Sequence, residues 1–267
     1  MSNLILTEWY KLRLNKTFRT MLTLSITAGL IFTLLLWLDA QNIVALESAL
    51  GFINLDPSFT GSGLDVFKMV IVDDSMFLTV ISAILAGFFI SNEYVFGVIK
   101  NEVMGGQNRS RIYAAKLVIL ASGTLLITFI FLAISTIGAT FISGFGQVEN
   151  GSTIIYMIRS LILYILQSLS FHAIIMIFAM LLQESGKTII SSFGFIIMVN
   201  LAILALGKIN PELTEAVFSY TVFTQLAVAV QDTVTFGEII KSILVAIFNF
   251  IVFFYVGMKA FQRKEIK

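Results

Sequence analysis

His172 is the one histidine among 267 residues, and the chain has no cysteine. Thiolate catalysis, disulfide scaffolds and Cys-ligated zinc or iron–sulfur centres are therefore excluded. A metal-dependent hydrolase or intramembrane protease would need a second ionisable group beside His172. No H-E-x-x-H or G-x-S-x-G sequence supplies one. Gly186-Lys187-Thr188 matches the end of the phosphate-binding pattern G-x-x-x-x-G-K-[ST], but Leu181 stands where the first glycine is required and no strand precedes it. The sequence predicts no catalytic residue, no metal site and no cofactor bound by this chain, so any ATP-driven work falls to a separate subunit.

Polar side chains inside long apolar runs are functional candidates by default. Ser168 precedes His172 by four residues and Gln167 lies beside it, which gives that run a polar strip. The strip either lines a translocation path or makes hydrogen bonds between neighbouring helices. Asn200 and Asn249 pose the same choice. Ser25-x-x-x-Gly29 and Ala83-x-x-x-Gly87 read as packing surfaces, and Gly61-Ser62-Gly63 reads as a turn in a polar loop.

The elements that must hold these residues follow from composition. Apolar residues make up 58% and charged residues 12% of the chain, against about 45–50% and about 25% in soluble domains. Mean hydropathy is +0.95, and a bilayer is the solvent that fits. Six uncharged runs are long enough for a membrane helix of roughly 17–25 residues: 20–38, 75–92, 117–143 (with apolar residues on to 148), 160–183, 188–207 and 242–258. Gly138, Gly144 and Gly146 place the end of the third helix near residue 143. The predicted fold is an all-α integral membrane protein of six spans, in one transmembrane domain covering 1–267. The first run is a retained span, because it is longer than a signal-peptide core and no A-x-A-like site follows Leu38.

Net charge is +1, which gives no sign of a nucleic-acid partner. With the N-terminus inside, however, 13 of the 17 bases fall in inner connections and 11 of the 16 acids in outer ones. That partition predicts two cytoplasmic termini; the expected location is a cell membrane, a bacterial plasma membrane in particular. Residues 216–231 form a further apolar stretch that is short for a span. A re-entrant or interfacial helix on the outer face suits both its length and the charge rule, and a seventh span is the alternative.

Over Leu4–Phe18, Ile5, Trp9 and Leu12 recur at helical spacing while Glu8, Lys11 and Lys16 fall elsewhere. This reads as an amphipathic helix on the inner surface with Trp9 at headgroup depth, the alternative being an irregular basic anchor. The connection Ser91–Lys116 reads as a helix through Met104, a stop at Gly105-Gly106 and a restart at Gln107–Ser110. A solvated basic turn would serve a simple hairpin equally well.

At Glu93, Gly97, Ile99, Lys100, Ser110, Arg111 and Lys116 the sequence resembles the permease subunits of ABC-2 type ABC transporters. Their second span ends in a Glu, followed by a Gly/apolar/Ile-Lys stretch, a Ser-Arg pair and a Lys opening the third span. Gly105-Gly106-Gln107 departs from the Pro that many members carry before that pair. The resemblance implies an export permease that pairs with itself or with a paralogous permease. A soluble ABC ATPase subunit beneath it would bind ATP and Mg²⁺. The 93–111 connection would seat in that ATPase, with Tyr94, Phe96, Val98, Ile99, Val103 and Met104 as apolar contacts and Lys100, Arg109 and Arg111 as partners for acidic residues. The surface helix carrying Trp9, Lys11 and Leu12 would couple alongside. With few charges inside the spans, a hydrophobic or amphipathic cargo is expected, a peptide or peptide antibiotic among the possibilities. The competing classes are an ion-gradient transporter, which would call for paired intramembrane acids or internal repeats, and a membrane scaffold or sensor with no path.

Overall fold

The computed structural model describes residues 2–46, 59–148 and 151–264, the side chains of 2, 72–76 and 223 aside. Glu47, Asp56, Glu149, Glu265 and Lys267, which enter the charge partition, lie outside that set, as do the side chains of Asp73 and Asp74. Among the described residues every regular element is helical: α1 Ser2–Leu14, α2 Lys16–Ala40, α3 Gly63–Leu85, α4 Asn92–Val95, α5 Val98–Met104, α6 Arg109–Ser143, α7 Thr153–Leu182, α8 Ser185–Ile209, α9 Pro211–Phe218, α10 Val222–Val228 and α11 Phe236–Arg263. A π-helical segment, Ala86–Ser91, joins α3 to α4. Six helices are long and apolar enough to cross a membrane, the build of a multi-pass membrane protein. At 35 residues, α6 is about 52 Å long, more than a bilayer's hydrocarbon needs.

Caps explain most boundaries. The Asn15 side chain accepts from the Phe18 amide and separates α1 from α2, so the expected surface helix stops at Leu14 and does not run to Phe18. Ser62 caps α3, turning the Gly61-Ser62-Gly63 sequence into a helix start. Asn108 restarts the chain into α6 by accepting from the Ser110 amide, as the sequence predicts. Thr235 and Glu238 form a reciprocal capping box that begins α11 six residues before the expected run. Gly144, with φ +81°, ends α6 after Ser143.

Two features depart from the expected continuous helix through Met104. The π-helical Ala86–Ser91 segment interrupts the second long helix, and Gly97, at φ +69°, breaks α4 from α5. At φ +69° a side chain would be strained whatever the space around it.

α6 is the central helix, packed by α2, α3 and the short α1, while α7 pairs with α11. The Ser25 hydroxyl donates to the Ile127 carbonyl at 2.7 Å. A Cβ on Gly29 would come within 3.0 Å of Ile134, and one on Gly87 within 2.9 Å of Ile189. Both small-residue pairs therefore do set close helix approaches. The core has two storeys. One gathers Leu12, Phe18, Leu85, Tyr113 and Phe261; the other gathers Phe32, Leu64, Phe67, Leu163 and Tyr164.

Segment 216–231 contains the end of α9 and all of α10, helices of eight and seven residues. At about 1.5 Å per residue neither could cross about 30 Å of hydrocarbon.

Candidate functional site

Beneath the ends of α3 and α6, five charged side chains meet although they come from four parts of the chain. Glu8 and Lys11 lie one turn apart on α1, Glu93 is in α4, Glu102 in α5 and Lys116 two turns into α6. The Lys116 ammonium is wholly buried; it bonds Glu93, donates to Glu8 Oε2 at 3.0 Å and lies 3.6 Å from Glu102 Oε2. Lys11 bridges the same three acids, at 2.6 Å from Glu8, 3.3 Å from Glu93 and 2.6 Å from Glu102. Three carboxylates against two ammoniums leave the cluster one negative charge in excess.

Burial alone would raise the Glu8 pKa, but the Lys116 and Lys11 ammoniums outweigh it and hold the carboxyl below its ordinary range. Burial likewise works against the Lys11 charge, and Glu93, Glu102 and Glu8 together lift its pKa above the usual lysine value. The Glu8, Glu93 and Glu102 oxygens lie within 4.8 Å of one another, a spacing that a divalent cation could bridge. The two ammoniums already fill that role, so the donor set is an ion-pair network.

The network explains why Glu8 is buried. Sequence periodicity places it off the apolar face of α1, yet it is turned inward beside Leu12. α1 is packed on the protein by Leu12, with Ile5 and Trp9 half-buried against the same core. It therefore clamps the 92–108 connection to the start of α6.

The residues expected to meet a partner divide into two groups. Phe96 and Met104 are 74% and 68% exposed, Lys100 and Arg111 are exposed and Val98 is partly exposed; Val95, not singled out by sequence, is 64% exposed. Tyr94 instead turns inward, its hydroxyl 2.9 Å from the Met180 sulfur; Ile99 is buried, and Val103 packs on the core. Arg109 is also engaged within the chain. Its guanidinium donates to the carbonyls of Phe261, Gln262 and Lys264 at 3.4, 3.0 and 2.7 Å, and so caps the end of α11. Gly97 has nothing within 4 Å of where a Cβ would stand, which leaves the α4–α5 corner unobstructed.

The five residues considered for a path do not converge. Gln167 is buried and donates to the Ser242 carbonyl and hydroxyl at 2.9 and 3.0 Å, joining α7 to α11. Ser168 donates to Ile165 in its own helix. The Nδ1 of His172 pairs with the Ser168 carbonyl rather than with a neighbouring helix, and its Nε2 has no hydrogen-bond partner among the described residues. Asn200 is exposed and bonds Ile196 of its own helix; Asn249 holds the Tyr220 carbonyl at 3.1 Å. Interhelical bonding describes Gln167, and Ser170, which donates to Ala246 at 2.7 Å, is a second such contact not singled out by sequence. Gly186-Lys187-Thr188 opens α8, and the Thr188 hydroxyl pairs with Ser91 at 2.9 Å, so no phosphate loop forms there.

At the opposite end of the bundle the residues assigned to outer connections also meet one another. Lys68 pairs with Asp232 at 2.7 Å, Tyr156 donates to the Val230 carbonyl at 2.6 Å, and Arg159 donates to Gln231 at 2.5 Å.

Fold and site together define an all-helical, multi-pass membrane protein with a charge-locked connection at one end of the bundle. The chain belongs to the DUF2705 family of proteins of unknown function, the match covering residues 26–267. Comparison with curated proteins and with solved structures gives no match.

Proposed function

We propose that this chain is the transmembrane permease subunit of an ATP-driven ABC exporter. The six long helices cross the cell membrane of a bacterium with both termini in the cytoplasm, and α9–α10 form the re-entrant or interfacial element on the outer face. The chain has no ATPase site; ATP and Mg²⁺ are bound by a partner ABC ATPase. A second permease, identical or paralogous, completes a path for a hydrophobic or amphipathic substrate, for which a peptide or peptide antibiotic is a candidate.

The observation that carries this reading is the clamped connection. A hairpin that only reverses the chain has no need of five charges gathered beneath it, three of them buried at a substantial desolvation cost. A hairpin that receives force from a partner must be rigid at its base and apolar at its tip. Here Glu8, Lys11, Glu93, Glu102 and Lys116 supply the base, and Phe96 and Met104, flanked by Lys100 and Arg111, supply the tip. Exposed aromatic and Met side chains with adjacent basic groups are the residue types that dominate protein contacts.

The test is purification from the native membrane. A soluble ATPase should accompany the chain, and Phe96→Asp with Met104→Asp should release it while leaving insertion intact. Substrate transport by the purified chain alone under a proton gradient would refute the proposal.

A further inference from the structure

The outer end of α11 holds a second site, independent of the charge network. Tyr220, in the turn between α9 and α10, stands between two depressions. The first is a cleft of about 550 Å³ bounded by Tyr220 and by Gly237, Lys241, Leu244 and Phe248 along α11. The second, about 360 Å³, is lined by Tyr220 with Glu212 and Glu215 of α9. The Lys241 ammonium lies 4.7 Å from the centre of the Tyr220 ring. One ammonium thus heads the apolar cleft, and two carboxylates line the hollow that Tyr220 shares with it. The Asn249 amide donates to the Tyr220 carbonyl at 3.1 Å and ties this turn to α11.

The dimensions suit an acyl chain. From Lys241 to Phe248 the helix rises about 10 Å, so below a phosphate at Lys241 the cleft takes the headgroup-proximal part of one acyl chain within one leaflet of the about 30 Å hydrocarbon. Leu244 and Phe248 are exposed, so the cleft opens sideways, toward lipid. The charges select the headgroup. Lys241 offers a partner for a phosphate, but Glu212 and Glu215 lie beyond the ring, and Glu238, bonded to Thr235 in the capping box, adds a third carboxylate nearby. A purely anionic head would meet more repulsion than attraction, whereas a head carrying a phosphate and a primary ammonium matches both sides.

The geometry points to a binding site for an aminophospholipid of the phosphatidylethanolamine class. Its phosphate pairs with Lys241, its ammonium faces Glu212 and Glu215, and one acyl chain lies along Leu244 and Phe248. The inference rests on α11 as a membrane span and not on export.

The experiment is native mass spectrometry of the purified full-length chain after equilibration in nanodiscs of equal phosphatidylethanolamine, phosphatidylcholine and phosphatidylglycerol. The unmodified chain should retain the ethanolamine lipid about tenfold over the other two, the effect of one or two charge-assisted contacts. Lys241→Ala should abolish that preference, and Glu212→Gln with Glu215→Gln should reduce it. Equal retention of all three lipids overturns the site, as does preference for the glycerol lipid. Displacement of every lipid by a soluble cationic peptide would also overturn it. The unmodified chain answers the question even if a variant fails to fold. Release of the chain from membranes by alkaline carbonate would instead overturn the span itself.

Discussion

Lys116→Met removes a wholly buried ammonium while keeping most of the side-chain volume, and so isolates its charge. Without it, Glu8, Glu93 and Glu102 face Lys11 alone, and the cluster carries two negative charges in excess instead of one. Breaking a buried ion-pair network in this way costs about 3–5 kcal/mol. The penalty has a pH signature. An uncompensated carboxylate takes up a proton, and each pH unit is then worth about 1.4 kcal/mol, so lowering the pH from 7 to 5 recovers up to about 2.7 kcal/mol in the variant. The parent protein, carrying the same cysteine and labelled at both pH values, is the reference for the variant. The Glu8 pKa is lowered, so its contribution is present above the ordinary value of 4.5 and lost only as pH falls through the still lower native value. Lys11, whose pKa is raised, keeps its contribution until pH rises well into the alkaline range. The assay is maleimide labelling of Leu12→Cys in inside-out vesicles, which reports release of α1. Relative to the same cysteine in the parent at each pH, Lys116→Met should speed labelling about a hundredfold or more at pH 7, and at pH 5 by a factor up to about a hundredfold smaller, about fiftyfold at most. Adding Glu93→Gln should restore much of the protection at pH 7. An acceleration below about threefold at pH 7, or one equal at both pH values, would refute the account of a charge-balanced clamp.

Two further outcomes separate contacts that matter from contacts that do not. Arg109→Gln loses charge-assisted bonds to three carbonyls at the end of α11; hydrogen exchange of residues 258–263 should accelerate by about tenfold to a hundredfold, corresponding to about 1.5–3 kcal/mol. Asp232→Asn breaks a partly exposed pair with Lys68, and thermal unfolding in detergent should register a loss of less than about 1 kcal/mol.

The long apolar helices were legible because a bilayer demands uncharged runs: five of the six runs fall on single helices, and the second, 75–92, passes from α3 through the π-helical segment into α4. Their ends were less legible. Thr235-x-x-Glu238 carries a capping-box signature that would have extended α11, whereas nothing in the 85–91 sequence marks a π-helical turn. The charge network was hidden for a different reason. Glu8 and Glu93 are far apart in the chain, and periodicity treats an acid as a marker of the wet face, although an acid paired with the buried Lys116 and the half-buried Lys11 belongs inside. Arg109 was misplaced by the same habit, since a base in a polar loop gives no local sign that a helix end elsewhere needs its donors. The Phe96 and Met104 tip was legible, because those residues lie in a polar connection with no periodic core to join.

The π-helical turn at Ala86–Ser91 gives the second long helix a phase slip. One extra residue in a turn shifts everything after it by about 100° of azimuth relative to the α-helical register. The faces before and after the slip can therefore be aimed separately. Leu78, Ile81 and Leu85 stay in register with α6 inside the bundle, while Glu93 is brought round to Lys116 beneath it. In a helix without the slip, the packing face and the charged face would be locked to one angle, and adjusting either would misalign the other. Deleting Phe88, which is partly exposed on the slipped turn, would rejoin the two phases.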